Sequence, residues 1–428
     1  MHRLLLRGKP CISRLLNVEP KAISIRNYTY DLPDDRIARY PLPQRDEASL
    51  LVYKDSGILK GKFKDLKDFL PGNSCLVFNN SKVIHARVIF NREGASPIEC
   101  FCLEPYGRQS PDEIFKSHTS VKWLCMVGNA KRWKEEVLTK SLNGKYGPCV
   151  LSARKTGESG RDRIVDFSWD NPSYSFSEVL EMGGVLPIPP YLNRPSEHDD
   201  EIRYNTVYAG MEGSVAAPTA GLHFTHELLA KLSTGGTQTL YLTLHVGAGT
   251  FRPVSGEYIS DHEMHAERIA AGRDTIVQLS EACRKKVMVA VGTTSARTLE
   301  SLYWLGVKLN REVQPGNTFF ISQWEPYTTS LTEFPPAGEV FDKIVSWMDQ
   351  HALTEITAYT QMMIAPGYSF RVLDALITNF HQPGSTLLLL VAALIGDDWK
   401  KVYDFALANN FRFLSYGDSS LLFSKQPR

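Results

Sequence analysis

The sequence predicts a mixed α/β fold with a smaller antiparallel β-barrel domain inserted into it. Strands and helices alternate after about residue 176, which is typical of an α/β domain. Between about residues 76 and 175, short apolar stretches are separated by Asn, Gly and Pro without a long helical period, which favours a small barrel. A chain of 428 residues is long enough for two or three domains. We therefore expect a disordered N-terminal extension over 1–25, an α/β catalytic domain over 26–75 and 176–428, and the barrel domain over 76–175.

Local patterns justify the elements in chain order. Leu50–Tyr53 followed by Asp55-Ser56-Gly57 predicts a hairpin, and Phe63–Leu70, ended by Pro71-Gly72, predicts a short helix. The barrel strands are predicted at 84–90, 98–103, 123–127 and 164–167. In the α/β part, buried strands are predicted at 240–246 and 287–291, and helices at 226–232, 276–284, 296–305 and 387–395.

Charge and cysteine content narrow the class of protein only slightly. The 48 basic and 47 acidic residues give a net charge of +1, which neither indicates nor excludes a nucleic-acid partner. The seven cysteines are too scattered for a disulfide framework, so we expect reduced thiols in a cytoplasmic protein. Cys100 and Cys102 would share one strand face, but no second pair completes a zinc site. The longest apolar run, 387–395, has about half the ~18 residues of a membrane span, so no membrane association is expected.

The N-terminal segment has an unusual composition. Residues 1–18 contain four basic residues, a Leu4-Leu5-Leu6 patch and no acidic residue, a combination that resembles an organelle transit peptide. A disordered extension and a mis-assigned start are the alternatives.

Four stretches rich in small, hydroxyl and histidine residues are the candidate sites: 213–225, 244–251, 289–297 and 377–386. The last two each join an apolar strand to a helix, whose first N–H groups and positive dipole end favour a carboxylate, ribose or phosphate. Ligands of open α/β sheets collect at such strand ends. Taken singly, Thr294, Ser295 and Ser385 are better explained as helix N-caps.

The histidines of these stretches are candidates for chemistry. His223, His245 and His381 each lie in a small-residue loop, which makes function as plausible as a packed core histidine. His262 and His265 have the spacing of a metal-binding pair, but no further ligand follows at a fixed spacing, so polar active-site or surface roles are favoured.

One basic stretch could contact RNA. Lys131-Arg132-Trp133-Lys134 combines positive charge with an aromatic ring that could stack on a base. An ordinary solvated turn is the alternative.

Together these stretches resemble the S-adenosylmethionine:tRNA ribosyltransferase-isomerases of queuosine biosynthesis. The resemblance covers nearly the whole chain from about residue 28, and Ala217–Phe224 and Thr378–Thr386 are its most specific strings. The other matching segments are 30–38, 78–87, 186–191, 204–209, 245–251, 262–267, 291–301, 366–368, 376–388 and 412–418. The resemblance implies an α/β part with an inserted β-barrel, and transfer with isomerisation of the ribosyl moiety of S-adenosylmethionine to 7-aminomethyl-7-deazaguanine at the tRNA wobble position. The implied products are epoxyqueuosine-tRNA, adenine and methionine; S-adenosylmethionine is the co-substrate, and no metal is required.

The chemistry of that reaction suggests roles for residues in the matching segments. The expected acid–base groups are His223, His381 and Glu267. The residues expected to bind S-adenosylmethionine through its ribose hydroxyls, carboxylate or sulfonium are Thr219, Thr294, Ser295, Arg297, Phe251 and Tyr191. The residues expected to contact the substrate or the intermediate are His245, Asn379, Asn80 and Lys82.

Two other classes of protein are weighed against this hypothesis. A metal-dependent hydrolase would use His262 and His265, and a non-catalytic tRNA-binding module would use the barrel and Lys131–Lys134. The chain departs from shorter family members by extra residues at 306–357, including a predicted helix around 340–351, and by a long loop at 104–119. Because the family makes queuosine in bacteria, the transit-peptide hypothesis is the weaker one for the extension. We expect tRNA as the partner and a monomer.

Overall fold

The computed structural model describes residues 20–107, 111–134, 136–247, 256–309, 319–329, 331 and 333–426. The predicted extension lies outside these ranges up to residue 19, and so does the candidate Phe251.

Within the described ranges, ten strands form one large mixed sheet. In spatial order they are β16 (Phe319–Ile321), β17 (Glu355–Thr360), β14 (Glu267–Gly272), β13 (Gln238–Leu244), β3 (Ser74–Asn79), β15 (Val287–Val291), β18 (Ala375–Asn379), β19 (Ser419–Phe423), β1 (Ser49–Lys54) and β2 (Gly57–Lys62). The four central strands β13, β3, β15 and β18 are parallel neighbours. Their carboxyl ends therefore lie at one edge of the sheet.

Helices cover both faces of this sheet because its central strands are apolar on both sides. Cys75 and Val77 of β3 pack in one core, whereas Leu76 and Phe78 pack in the core on the opposite face. The first face is covered by α6 (Arg273–Lys285), α7 (Thr293–Leu309), α9 (Ala337–Gln350), α10 (Thr386–Ile395) and α11 (Asp398–Ala408). The second face is covered by α1 (Leu66–Phe69) and α5 (His226–Thr234).

A smaller antiparallel sheet is inserted between β3 and β13 in the chain. Its seven described strands, in spatial order, are β11 (Gly184–Val185), β5 (Arg87–Arg92), β6 (Ala95–Pro105), β7 (Ser120–Gly128), β10 (Asp162–Trp169), β9 (Gly147–Ser159) and β8 (Leu138–Gly144). The sheet curls so that Lys140 of β8 donates to the carbonyls of Ile89 and Gly183 at 3.2 and 2.8 Å. Helix α3 (Phe176–Gly183) packs on its apolar face with Trp123 and Phe167. The predicted fold class is confirmed, with the inserted unit a half-barrel.

Short elements connect these two units. Strands β4 (Ser81–Val83) and β12 (Met211–Ser214) form a parallel pair, and the remaining helices are α2 (Pro111–Phe115), α4 (His198–Arg203) and α8 (Glu325–Thr328). The boundary expected at residue 76 falls inside β3, which belongs to the large sheet, and the curled sheet begins only at Arg87. Division of the chain into domains stays a prediction.

The structure contains the hairpin and the helix around 340–351 that local patterns predict. The hairpin is β1–β2, and its two turn residues Asp55 and Ser56 have positive φ of 50° and 62°, as a tight turn matching the strand twist requires. The helix expected around 340–351 is α9. No helix in the described ranges is both long and apolar enough to cross a membrane.

Candidate active site

A cleft opens where two central strands of the large sheet end. It lies between the ends of β15 and β18, the first residues of α7 and α10, and residues 216–220, and it holds about 970 Å³, part of it open to solvent. We call it the polar cleft. Of the predicted residues, the structure places Tyr191, Thr219, Thr294, Asn379 and His381 on its wall. Among its described lining residues there is no Asp, Glu, Lys or Arg, so hydroxyl, amide, imidazole and backbone groups supply its polarity.

Two helices begin at the polar cleft, so their unpaired N–H groups and positive dipole ends lie beside it. The Ser385 hydroxyl caps α10 by accepting from the Leu388 amide at 3.2 Å, as the N-cap alternative expects. Thr294 differs, because its buried Oγ1 has no hydrogen-bond partner among the described groups. The Ser295 hydroxyl is fully buried and donates to the carbonyl of Val291, the last residue of β15, at 2.7 Å, and Ser295 does not line the cleft.

Asn379 links the polar cleft to His223. Its Oδ1 accepts from the Thr219 hydroxyl at 2.8 Å, and its Nδ2 lies 3.2 Å from Nε2 of His223. The other ring nitrogen of His223 lies 3.3 Å from the Arg45 carbonyl. An Nδ1–H donor and an Nε2 acceptor satisfy both contacts, so the ring is a neutral imidazole. Burial lowers the pKa of His223 to about 4, which agrees with the neutral form.

His381 lies directly on the wall of the polar cleft. Its Nε2 is 2.9 Å from the Thr378 hydroxyl, and its backbone N–H donates to the Tyr403 hydroxyl at 3.0 Å. The Tyr30 hydroxyl donates to its carbonyl. Burial lowers the pKa of His381 to about 3, so the ring is neutral at pH 7 and can accept a proton.

Tyr191 places an aromatic ring on the same wall. Its hydroxyl is 2.5 Å from Oγ of Ser415, and burial raises the pKa of Tyr191 to about 12. The tyrosine therefore stays protonated. Ser415 belongs to a segment that the resemblance included, but it was not predicted as a site residue, since a serine in a loop gives no separate signal.

A second cleft holds two other predicted residues, His245 and Glu267. It opens between the end of β13, the start of β14 and residues 103–107 of the curled sheet, and Val246 lines both clefts. Glu267 is buried, accepts from the Gly247 amide at 3.0 Å and forms an ion pair with Arg297. The structure thus places Arg297 with Glu267 and not on the wall of the polar cleft.

Two predicted residues lie away from both clefts. The Asn80 side chain accepts from the Thr243 hydroxyl at 2.8 Å. Lys82 pairs with Glu212 across the β4–β12 pair at 3.1 Å. Neither lines the polar cleft or the second cleft.

The structure also shows the residues on which a metal-dependent hydrolase or a tRNA-binding module would depend. Across the described residues, no three His, Cys, Asp or Glu side chains are grouped as a metal site, and His262 contributes its carbonyl as acceptor to Gln323 at 2.7 Å. Cys100 and Cys102 are fully buried in the curled sheet. The stacking proposed for Trp133 is wrong, because the ring is 1% exposed and its Nε1 donates to the Glu136 carbonyl at 2.9 Å.

An open strand-end cleft lined by hydroxyl, amide and neutral imidazole groups is typical of an enzyme site for a polar small molecule. The chain belongs to the family described as queuosine biosynthesis protein, whose model matches residues 25–422. It is 35% identical over 404 residues to the S-adenosylmethionine:tRNA ribosyltransferase-isomerase of Halothermothrix orenii, covering 94% of this chain and all of that protein. It is 35% identical over 402 residues to the protein of the same name from Trichlorobacter lovleyi, covering 93% of this chain and 99% of that one.

A crystal structure of S-adenosylmethionine tRNA ribosyltransferase from Thermotoga maritima is also similar. The identity is 25%, the match covers 92% of this chain and 99% of that chain, and the TM-score is 0.44.

Proposed function

We propose that this chain is an S-adenosylmethionine:tRNA ribosyltransferase-isomerase of queuosine biosynthesis. It would transfer and isomerise the ribosyl moiety of S-adenosylmethionine onto 7-aminomethyl-7-deazaguanine in tRNA, giving epoxyqueuosine-tRNA, adenine and methionine. The observation that carries this proposal is the polar cleft at the strand ends of a chain that matches proteins of that name along nearly their whole length. A cytoplasmic location and a monomeric state remain predictions.

The polar cleft suits S-adenosylmethionine. The Tyr191 ring on its wall would contact the sulfonium cation through a cation–π interaction without a permanent counter-charge. The N-termini of α7 and α10 favour the methionine carboxylate. The free hydroxyl of Thr294 and the Thr219–Asn379 pair are placed to bond ribose hydroxyls. Arg297, which was also expected to bind S-adenosylmethionine, pairs with Glu267 outside the polar cleft.

The second cleft suits the RNA base. It lies between the curled sheet and the large sheet, and Val246 forms part of both clefts, so a base bound there lies next to the polar cleft. His245 and the Glu267 carboxylate on its wall are hydrogen-bonding groups for the base and its aminomethyl substituent.

The reaction requires proton transfers that buried neutral histidines can perform. The sulfonium acidifies the adjacent ribose carbon, from which a base removes a proton, and adenine must be protonated as it leaves. His381, which lines the polar cleft, is the base, and Glu267, which lines the second cleft, is a second base. A proton taken up by His381 can pass on to the departing adenine. His223 acts through Asn379, whose amide it holds in place.

Adenine release tests the proposal. Purified protein and S-adenosylmethionine are combined, with and without a chelator, with tRNA carrying 7-aminomethyl-7-deazaguanine, and with the same tRNA carrying guanine as the control. The proposal expects adenine only with the modified tRNA. Absence of adenine with both tRNAs, from protein that binds S-adenosylmethionine, would contradict it, and loss of activity in chelator would favour a metal enzyme.

A further inference from the structure

A third pocket adjoins the polar cleft and is lined by three arginines. Arg45, Arg203 and Arg412 lie around it, His223 lines it, and Ser415 lines both this pocket and the polar cleft. We call it the arginine pocket. It is much smaller than the polar cleft and opens to solvent, with about 280 Å³ of empty space including the open part.

The three guanidinium groups are held in place mainly by neutral acceptors. Each donates to backbone carbonyl oxygens, namely those of Asn205 and Ile202 for Arg45, of Pro43 and Leu42 for Arg203, and of Tyr40 and Tyr416 for Arg412. Carbonyls fix the orientation of a guanidinium without cancelling its charge. Three arginines fixed in this way line one small pocket.

Two carboxylates offset part of this charge, and one of them, Asp199, acts on Arg45. Asp418 lies 4.0 Å from Nε of Arg412 and already accepts the Ser49 and Arg412 amides at 2.8 Å each. Burial, followed by the charge of Arg203, lowers the pKa of Arg45, and burial also lowers the pKa of Arg412. Both guanidinium groups are therefore partly desolvated, and Arg45 is also repelled by Arg203, a state that an incoming anion relieves.

We propose that the arginine pocket binds a phosphate group and that its occupant during catalysis is a backbone phosphate of the RNA substrate. Several guanidinium forks match the several oxygens of a phosphate. The pocket lies beside the polar cleft, where the RNA base must meet S-adenosylmethionine, so a phosphate of the same RNA chain is within reach. The identity of the RNA rests on the proposed function, whereas the preference for phosphate rests on the pocket alone.

The salt dependence of RNA binding tests the inference. Affinity of the substrate tRNA is measured by fluorescence anisotropy between 50 and 300 mM KCl, roughly the range over which phosphate contacts change affinity most, for wild type, Arg203→Ala and Arg203→Lys. Losing one phosphate contact should flatten the slope of log affinity against log salt by about 0.7–0.9. Arg203→Lys should fall between the other two, because it keeps the charge but not the fork. The matched control is Arg273→Ala, whose guanidinium is already paired with Asp349 at 2.5 Å on the surface.

Two further measurements identify the occupant. Affinity for S-adenosylmethionine should change less than twofold in Arg203→Ala, and a selective loss of that affinity would mean that the pocket binds the methionine carboxylate, which overturns the inference. Inorganic phosphate should raise the melting temperature of wild type more than that of Arg203→Lys. If phosphate raises the melting temperature in this way but the Arg203 variants keep the wild-type salt dependence of tRNA affinity, the pocket binds free phosphate. That result would overturn the assignment to RNA.

Failure of this inference is distinguishable from failure of the proposed function. Wild-type protein that releases adenine, with Arg203 variants that fold and keep the wild-type slope and affinity, would refute the inference alone. Wild-type protein that binds tRNA with an Arg203-dependent slope but releases no adenine would refute the proposed activity and leave the phosphate site standing.

Discussion

Glu300 joins the two strand–helix units of the polar cleft and provides a quantitative test. It is fully buried on α7, and its carboxylate accepts from the Tyr368 hydroxyl at 2.6 Å and from the amides of Arg371, Val372 and Leu373 at 2.9, 2.9 and 3.1 Å. These three amides belong to the segment that leads into β18. Each buried N–H left without an acceptor costs about 1–3 kcal/mol, so Glu300→Ala should destabilise the fold by about 3 kcal/mol or more.

Glu300→Gln should cost less, about 1–3 kcal/mol, because the amide oxygen still accepts from Val372 and Leu373 while its NH₂ opposes the Arg371 amide. Urea unfolding followed by circular dichroism measures both variants, with the exposed Glu281→Gln as a control expected within about 0.5 kcal/mol of wild type. If Glu300→Ala unfolds at the wild-type urea midpoint, the reasoning is refuted. Equal losses in the two Glu300 variants would refute the ranking.

Further predictions concern the histidines and the free hydroxyl. His223→Ala and His381→Ala should each slow adenine release by roughly 100-fold or more in steady-state kinetics, and near wild-type turnover in both would contradict their roles. Thr294→Val should weaken S-adenosylmethionine binding about tenfold in calorimetry, as loss of one hydrogen bond predicts. Thr298→Val, one turn later, removes a hydroxyl that already donates to the Thr294 carbonyl and should bind normally; identical affinities would count against Thr294 as a ligand. The free energy of unfolding should fall as the pH drops from about 6.5 towards 4, by about 1.4 kcal/mol per pH unit for each of the buried His223 and His381 rings. In the folded state their pKa values of about 4 and about 3 lie below the ordinary 6.5, so the unfolded chain binds more protons in this range. Urea unfolding at pH 7 and pH 4.5 checks this, and a pH-independent stability would contradict it.

The sequence predicts fold class best where burial makes the pattern simple. Strand β15 reads as a continuous apolar run because both of its faces are covered, and α10 is apolar nearly all round because it is buried. Strand β9 was not predicted, since only one of its faces is buried and Arg154, Lys155 and Glu158 interrupt the apolar residues. The curl of the small sheet depends on which strands pair across long loops, which no local pattern specifies.

Part of the candidate site could likewise be predicted from the sequence, and part could not. Strand-end reasoning predicts sites at 289–297 and 377–386, and the family resemblance adds Thr219. Thr219, Thr294, Asn379 and His381 line one cleft. The separation of Glu267 into a second cleft depends on the antiparallel pairing of β14 with β13, which the chain pattern does not reveal. The arginine pocket is built from three segments far apart in the chain, each of which reads as ordinary loop or helix-end sequence. The individual roles stay predictions.

Isotope labelling distinguishes ribosyl transfer from methyl transfer to the tRNA. Protein is incubated with chelator, tRNA carrying 7-aminomethyl-7-deazaguanine, and S-adenosylmethionine labelled with ¹³C either in the ribosyl carbons or in the methyl group, and the tRNA nucleosides are then analysed by mass spectrometry. The account predicts that the modified nucleoside gains the ribosyl label and the mass of epoxyqueuosine while adenine is released and the methyl label stays out of the RNA. Methyl label in the RNA, or no label at all from protein that binds both substrates, would contradict it.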